Sequence, residues 1–542
     1  MSLRVCRRRV LWLLVLLSCF FALLGGRLFY LQVWRSEILS RQAVQQRFQA
    51  ISVHDGRGDI QDRHGLSLLD GRRRLALLAF PSHYRGREEE IIRAFPSLKG
   101  IEKIAMPPHG ARPFWIETEL NELQAAQITG YPGLIAAIRK ERYGPEALAA
   151  HVVGYINESE GKGVSGIELA FDRTLSLGQQ KVIGAVVDGR MRLVPGLGYR
   201  EKEAPSSSKN VLLTLDLELQ REVERIMDRR IRSGAVVVLD PATGDVLAMA
   251  SCPGFHPSAL TSHLNKGDEA LLNHALCAYQ PGSVFKTVVA AAALEEGLVG
   301  LFQTFYCPGG ITVDGLYFPC SNLHHSEEIT LAEAFACSCN SVFIKLALEL
   351  GPEKLAAYAQ RFGLGESGGL PLGEQAGNFP SPEKLVSPRA QANSALGQGE
   401  VMVSPLQAAA MMAVLANGGR RVPPRLVLAL TDEQGHETAR FWQQPGEQVL
   451  SRATANKMKY LLHEVVARGT AQAANITSAQ AGAKTGTAES RRQGRELLNY
   501  WIAGFYPLEG TRAAVAVFAD DLKEGTVQQV FGEIIYYLER DR

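Results

Sequence analysis

Between Val10 and Leu31 the chain runs for 22 residues with one charge, Arg27. From Val10 to Leu24 the only polar groups are Ser18, Cys19 and the Trp12 indole. About 20 apolar residues in a helix suffice to cross a bilayer. Arg27 lies near one end, where a long cationic side chain can reach the interface. Arg4, Arg7, Arg8 and Arg9 precede the run, and such a cationic flank stays on the inner side. The expectation is a cytoplasmic tail over 1–9, a transmembrane helix over 10–31, and the rest of the chain outside. A cleaved signal peptide fits less well. The run exceeds an ordinary signal core, and no small-x-small cleavage site follows it.

Length and charge narrow the remainder. A chain of 542 residues implies roughly two to four domains. Hydrophobic residues make up 46% and charged residues 21%, a globular balance. Lys+Arg number 58 against 56 Asp+Glu, which argues against a bulk nucleic-acid binder. Eight cysteines are too few for a scaffold built on disulfides.

Residues 32 to about 50 read as a helical stalk. Residues 66–205 mix short strand-like runs with a helical stretch near 117–128. The polar, Pro- and Ser-interrupted stretch 196–210 marks the main boundary, giving a stalk and pedestal over 32–205 and a second domain over 210–542. In that domain a helix is expected near 217–232. Ala235–Leu239 and Asp245–Ala250 read as one hairpin, and Tyr500–Tyr506 with Ala513–Ala519 as another. An amphipathic helix near 527–539 closes the chain. Thr330-x-x-Glu333 and Ser404-Pro405-x-Gln407 are capping boxes. Strands at both ends with helices between imply an α+β fold, a sheet flanked by helices.

Three short motifs carry chemistry. Ser283-Val284-Phe285-Lys286 opens the apolar stretch Thr287–Leu294, which places Ser283 and Lys286 one helical turn apart on one face. A serine hydroxyl needs a base, and a lysine serves when burial and a helix N-terminus lower its pKa. Ser159–Lys162, Ser206–Lys209 and Ser381–Lys384 share the spacing but lie in Gly-rich, linker or Pro-containing stretches. Ser338-Cys339-Asn340 falls between the helical patterns Leu331–Cys337 and Ser341–Leu350. Such a turn can push a hydroxyl and an amide into a cleft. Lys484-Thr485-Gly486-Thr487 occurs once. As an edge strand it offers backbone groups to an extended peptide. Gly486 leaves room for close approach, Lys484 supplies fixed positive charge, and Thr487 offers a hydroxyl to a carboxylate.

Ser-x-x-Lys, Ser-x-Asn and Lys-Thr-Gly in this order resemble the signature of serine penicillin-binding proteins and β-lactamases. Much of residues 55–507 resembles a class B penicillin-binding protein. Supporting matches are Arg57-Gly58-x-Ile60-x-Asp62-Arg63-x-Gly65, Gly163-x-x-Gly166-Ile167-Glu168-x-x-Phe171-Asp172, Leu213-Thr214-Leu215-Asp216, Gly397-Gln398-Gly399 and Gly469-Thr470-Ala471. The resemblance implies a transpeptidase domain with an antiparallel sheet and an all-helical subdomain behind a pedestal of the dimerisation type. It implies Ser283 as nucleophile, Lys286 as base, Ser338 and Lys484 as proton relay, and Asn340 holding the acyl-side amide. Thr485, Gly486 and Thr487 would bind the substrate's terminal carboxylate and backbone, with N–H groups of Ser283 and Thr487 forming the oxyanion hole. The implied partners are stem peptides of peptidoglycan ending in D-Ala-D-Ala, β-lactams, and a membrane-embedded glycan polymerase. The chemistry needs no cofactor. A hydrolase using water as acceptor, and a β-lactam-binding sensor or scaffold, stay open at this level.

Cys307, Cys320, Cys337 and Cys339 crowd this same region, with His324 and His325 among them. Three readings are open: a disulfide, most simply Cys307–Cys320; a structural zinc site built from three or four of the cysteines; and small buried thiols.

Overall fold

The structure, a computed structural model, describes residues 3–39, 48–54, 56–107, 112–157, 160–176, 181–188, 199–203, 208–260, 263, 269–320, 328–476, 480–492, 495–520, 523 and 525–540. The chain forms two compact units.

The first unit comprises Met1–Gly56, Arg73–Glu141 and Gln179–Ser206. Its helix Leu3–Phe29 continues into a π-turn over Tyr30–Trp34. Val10–Trp34 is long and apolar enough to cross a membrane, and none of it is buried against protein. Farther along, Phe48–His54, Lys181–Val186 and Tyr199–Glu203 form one antiparallel sheet. Phe48 therefore begins a strand, where the sequence suggested the end of a helical stalk. Phe114–Glu119 is also a strand, because Phe114, Ile116 and Thr118 alternate into the interior. The helix expected from 117 starts instead at Glu122, where Asn121 and Gln124 form a capping box.

The second unit comprises Arg57–Arg72, Arg142–Gly178 and Ser207–Arg542. Two segments that the sequence grouped with the pedestal thus pack with the C-terminal part. The reason is local. Ile60–Gln61 pairs in parallel with Asn210–Leu213, and Leu217 N donates to Asp62 Oδ2 at 3.1 Å. Arg57 is buried against Glu168 (Nε–Oε2 2.6 Å) and reaches Asp172 at 2.8 Å. Arg142 and Tyr143 also bond Glu168. A buried carboxylate is tolerable only when so surrounded.

The second unit is organised by a five-stranded antiparallel sheet. Its order is Val246–Cys252, Gly234–Leu239, Ala513–Asp520, Arg495–Tyr506 and Gly482–Arg492. Both expected hairpins are present. Every residue of Gly234–Leu239 and Ala513–Asp520 is buried, so both faces of the sheet are covered. Helices Leu217–Arg230 and Thr526–Arg540 pack on each other and on the sheet, and Pro405–Ala416 packs against its central strands. Both capping boxes form, at Thr330 and at Ser404. Gly482–Arg492, which carries Lys484-Thr485-Gly486, is an edge strand.

Candidate active site

Ser283 sits on a 3-10 turn, Gly282–Phe285, that runs into the helix Lys286–Glu295. In 3-10 geometry residues i and i+3 eclipse, so Ser283 and Lys286 project from one face. The turn is fixed from three sides. Gly282, at φ 55°, donates its N–H to Gly397 O at 3.1 Å. Trp501 Nε1 donates to Gln280 O at 2.9 Å. The edge strand crosses the turn with no room for a methyl group: a Cβ on Gly282 would lie 2.3 Å from Thr487 O, and one on Gly486 would lie 2.4 Å from Pro281 O. Two glycines therefore bring the Ser283 backbone against Thr487. Ser283 is half-buried and Thr487 exposed, which leaves the pair open to a substrate.

Lys286 has no exposed surface. Its Nζ reaches Ser338 O at 2.7 Å, Ser338 Oγ at 3.1 Å and Asn340 Oδ1 at 2.6 Å. Burial pulls its pKa down to about 8, against the opposing pull of the nearby Cys339, Cys320 and Cys337. As an ammonium it donates to all three oxygens. As a neutral amine it donates to two and accepts from the Ser338 hydroxyl. The constellation thus holds the lysine in either protonation state.

Ser338 is delivered by the end of a helix. Leu331–Ala336 closes with Cys339 N donating to Ala334 O at 2.8 Å and Ser338 N to Phe335 O at 3.2 Å. That bonding pattern is a Schellman motif with its left-handed residue at Ser338, φ 61°. A non-glycine residue there is strained, and such strain concentrates at functional sites. The turn aims Ser338 at Lys286 and starts the next helix at Asn340. Asn340 Nδ2 donates to Pro319 O at 2.6 Å, so its Oδ1 is the atom facing Lys286.

Lys484 is also fully buried, and its Nζ donates to Thr485 O at 3.0 Å. Burial and the nearby Lys286 hold its pKa well below the usual lysine range. The sequence read Lys484 as a source of positive charge and, through the resemblance, as a proton relay; its complete burial disfavours the charged form. Each lysine faces an aromatic ring at 5.8 Å, Lys286 over Phe343 and Lys484 over Phe335. Thr485 bonds Thr470 through their hydroxyls. The three motifs thus converge, and Gly397 and Thr470, noted in the sequence only as matches to the family, bond the serine turn and Thr485. Phe335, Phe343 and the Pro319 carbonyl carry no such signal, because any apolar residue or backbone oxygen looks the same in sequence. Among the other Ser-x-x-Lys matches, Lys384 pairs with Glu400 on the surface and Lys162 with Glu160. Ser159 and Ser206 lie outside the described residues.

Beneath this site the sulfurs of Cys307, Cys320 and Cys339 lie close together. Cys337 stands apart, its sulfur directed to Ala334 O at 3.7 Å. Cys307 and Cys320 are 3.6 Å apart at sulfur, not joined as a disulfide. His324 and His325 lie outside the described residues.

Residues 234–536 match the penicillin binding protein transpeptidase domain. Over 96% of its length the chain is 29% identical to stage V sporulation protein D of Bacillus subtilis, covering 83% of that protein. It is 31% identical to the peptidoglycan D,D-transpeptidase PbpA of Mycolicibacterium smegmatis, over 70% of this chain and 78% of that one. Among solved structures, a chain of a peptidoglycan synthase complex superposes with TM-score 0.71, 28% identity and 97% coverage of each chain. Penicillin-binding protein 3 of Mycobacterium tuberculosis bound to aztreonam gives 0.67 at 25% identity, covering 91% of this chain and 97% of that one. The chain belongs to the penicillin-binding protein transpeptidase family, and within it to the single-pass, membrane-anchored class B proteins.

Proposed function

We propose that this protein cross-links peptidoglycan as a serine D,D-transpeptidase, with Ser283 as nucleophile. The observation that carries the reading is the convergence on Lys286: Ser283 one turn before it, Ser338 and Asn340 bonded to it, and the Gly486–Thr487 backbone laid against the serine turn. The Ser283 hydroxyl gives its proton to neutral Lys286, and its oxygen attacks the carbonyl of the penultimate D-Ala. The N–H groups of Ser283 and Thr487 take up the oxyanion, charge that exists only in the transition state. Collapse breaks the peptide bond, and the proton passes through Ser338 and Lys484 to the departing D-Ala amine. An amine of a neighbouring stem then attacks the ester, and Ser283 Oγ leaves and regains a proton. Thr485 and Thr487 hold the terminal carboxylate, and Asn340 the acyl-side amide. β-Lactams acylate the same serine.

The arginines before Val10 stay inside by the positive-inside rule, which puts the catalytic unit outside the cell membrane. The relative in a peptidoglycan synthase complex supports a membrane-embedded glycan polymerase as partner. The test is labelling of the full chain by a fluorescent penicillin. The wild type takes up one label per chain and Ser283→Ala takes up none. Persistent labelling of Ser283→Ala overturns the assignment.

A further inference from the structure

The sulfurs of Cys307, Cys320 and Cys339 form a near-equilateral triangle. The three separations are 3.6 Å (Cys307–Cys320), 3.7 Å (Cys320–Cys339) and 3.5 Å (Cys339–Cys307). A disulfide would have to close one edge to about 2.05 Å and leave an odd thiol. Tetrahedral zinc, with Zn–S about 2.3 Å, spaces its sulfurs about 3.8 Å apart. An ion about 2.3 Å from all three sulfurs would stand about 1 Å off their plane, close to the tetrahedral position.

Two ends of one hairpin and the turn before a helix supply the sulfurs. Cys307 follows the strand Thr304–Tyr306, Cys320 follows the strand Leu316–Pro319, and Cys339 caps the helix Asn340–Arg361. Cys307 and Cys339 are each 1% exposed, and Cys320 is half-buried. Soft thiolates select zinc over the hard divalent cations.

We propose that Cys307, Cys320 and Cys339 bind one zinc ion, with a solvent molecule as fourth ligand, and that this ion positions the Ser338 turn. Cys339 is the residue between Ser338 and Asn340. Cys320 follows Pro319, whose carbonyl accepts the Asn340 amide at 2.6 Å. The ion clips the 304–320 segment to the turn that holds Ser338 left-handed and presents two residues to Lys286. Its role is positional, since no ligand touches the reacting serine. Binding releases the thiol protons to solvent, and the sulfurs are neither oxidised nor reduced.

The test uses the full chain, purified without chelator. Elemental analysis reads one zinc per chain, and cobalt substitution gives an intense sulfur-to-cobalt charge-transfer band in the near ultraviolet. Cys307→Ser and Cys320→Ser each drop the metal below 0.2 per chain and slow acylation by fluorescent penicillin about tenfold or more. Cys252→Ser, outside the triangle, keeps both. Should Cys307→Ser fail to fold, chelation of the wild type followed by zinc replacement supplies the same comparison, with acylation lost and regained. Wild type without stoichiometric zinc after replenishment overturns the proposal. So does a native mass two daltons light, or a Cys320→Ser variant that retains the metal. Labelling of Ser283 is read independently, so the zinc proposal can fail while the transpeptidase reading stands.

Discussion

Lys286 Nζ lies 2.6 Å from Asn340 Oδ1, and the Asn340 amide is locked in that orientation by its bond to Pro319 O. Lys286 thus depends on a side chain from another helix, itself held by a hairpin. Asn340→Ala removes the acceptor and the lock together. Hydrogen bonds to charged groups contribute about 1.5–3 kcal/mol, so acylation should slow by about 10- to 100-fold. Stopped-flow acylation by a chromogenic β-lactam checks this. Asn340→Asp keeps an acceptor but puts a carboxylate beside the buried lysine, which raises the lysine pKa. It should show slow acylation that recovers at higher pH.

The pH profile follows from Lys286. With its pKa brought down to about 8 by burial, the neutral amine that accepts the serine proton accumulates as pH rises through that value. Acylation should therefore climb between about pH 7 and 9 and then level off. The stability effect has a definite sign. Between about 8 and the ordinary lysine value of 10.5 the unfolded chain binds more protons than the folded one, so this group's contribution improves as pH rises across that window. Below about 8 its cost is fully present. Lys286→Arg, with a side chain that stays charged, should abolish the acylation rise. Label uptake against pH for both proteins decides the point.

Gly486 sits where the edge strand crosses the serine turn. A methyl there would meet Pro281 O at 2.4 Å and Val284 N at 3.1 Å, backbone atoms that cannot swing aside. Gly486→Ala must push the strand away from Ser283. Overpacking of this kind costs about 1–3 kcal/mol, a fall of a few degrees in melting temperature. Acylation should fall more steeply, because Thr487 N–H leaves the position where the oxyanion forms. Thermal melts and label uptake, measured together, separate the two effects. Equal, small losses in both would contradict the close-approach role.

The sequence made the covalent logic readable because each motif carries its own local geometry. Ser283 and Lys286 are neighbours on any helical turn, and Thr330 and Ser404 announce their helices through capping boxes that form as written. The hairpin strands also read plainly, from apolar runs joined by turn residues. Long-range consequences were not legible. Sequence does not report that Lys484 is entirely buried beside Lys286. The segments around Arg57 and Glu168 read as pedestal because they are early in the chain, yet the pairing of Ile60–Gln61 and the Leu217 N–H bond to Asp62 tie the first to the C-terminal part, and the Arg57–Glu168 ion pair ties the two segments to each other. The strand Phe114–Glu119 was hidden by a helix-compatible stretch that follows it. Cys337 resembled its neighbours in spacing, yet its sulfur turns to Ala334 O and not into the group formed by the other three.

Glu168 gives the sharpest test of how the early segments are held. It has no exposed surface and bonds Arg57, Arg142 and Tyr143. Removing one member of a buried charge cluster costs about 3–5 kcal/mol, since the remaining charges lose their compensation. Glu168→Ala leaves two buried guanidinium groups, with Arg57 still beside the partly exposed Asp172. Glu168→Gln keeps the shape and some hydrogen bonds but not the charge. The melting temperature of the full chain should fall in the order wild type, Glu168→Gln, Glu168→Ala. None of these groups touches the serine turn, so the folded fraction of each variant should still take up fluorescent penicillin at the wild-type rate below its transition. A Glu168→Ala protein that melts with the wild type would mean the cluster is a surface-like ion pair and not the buried tie described here.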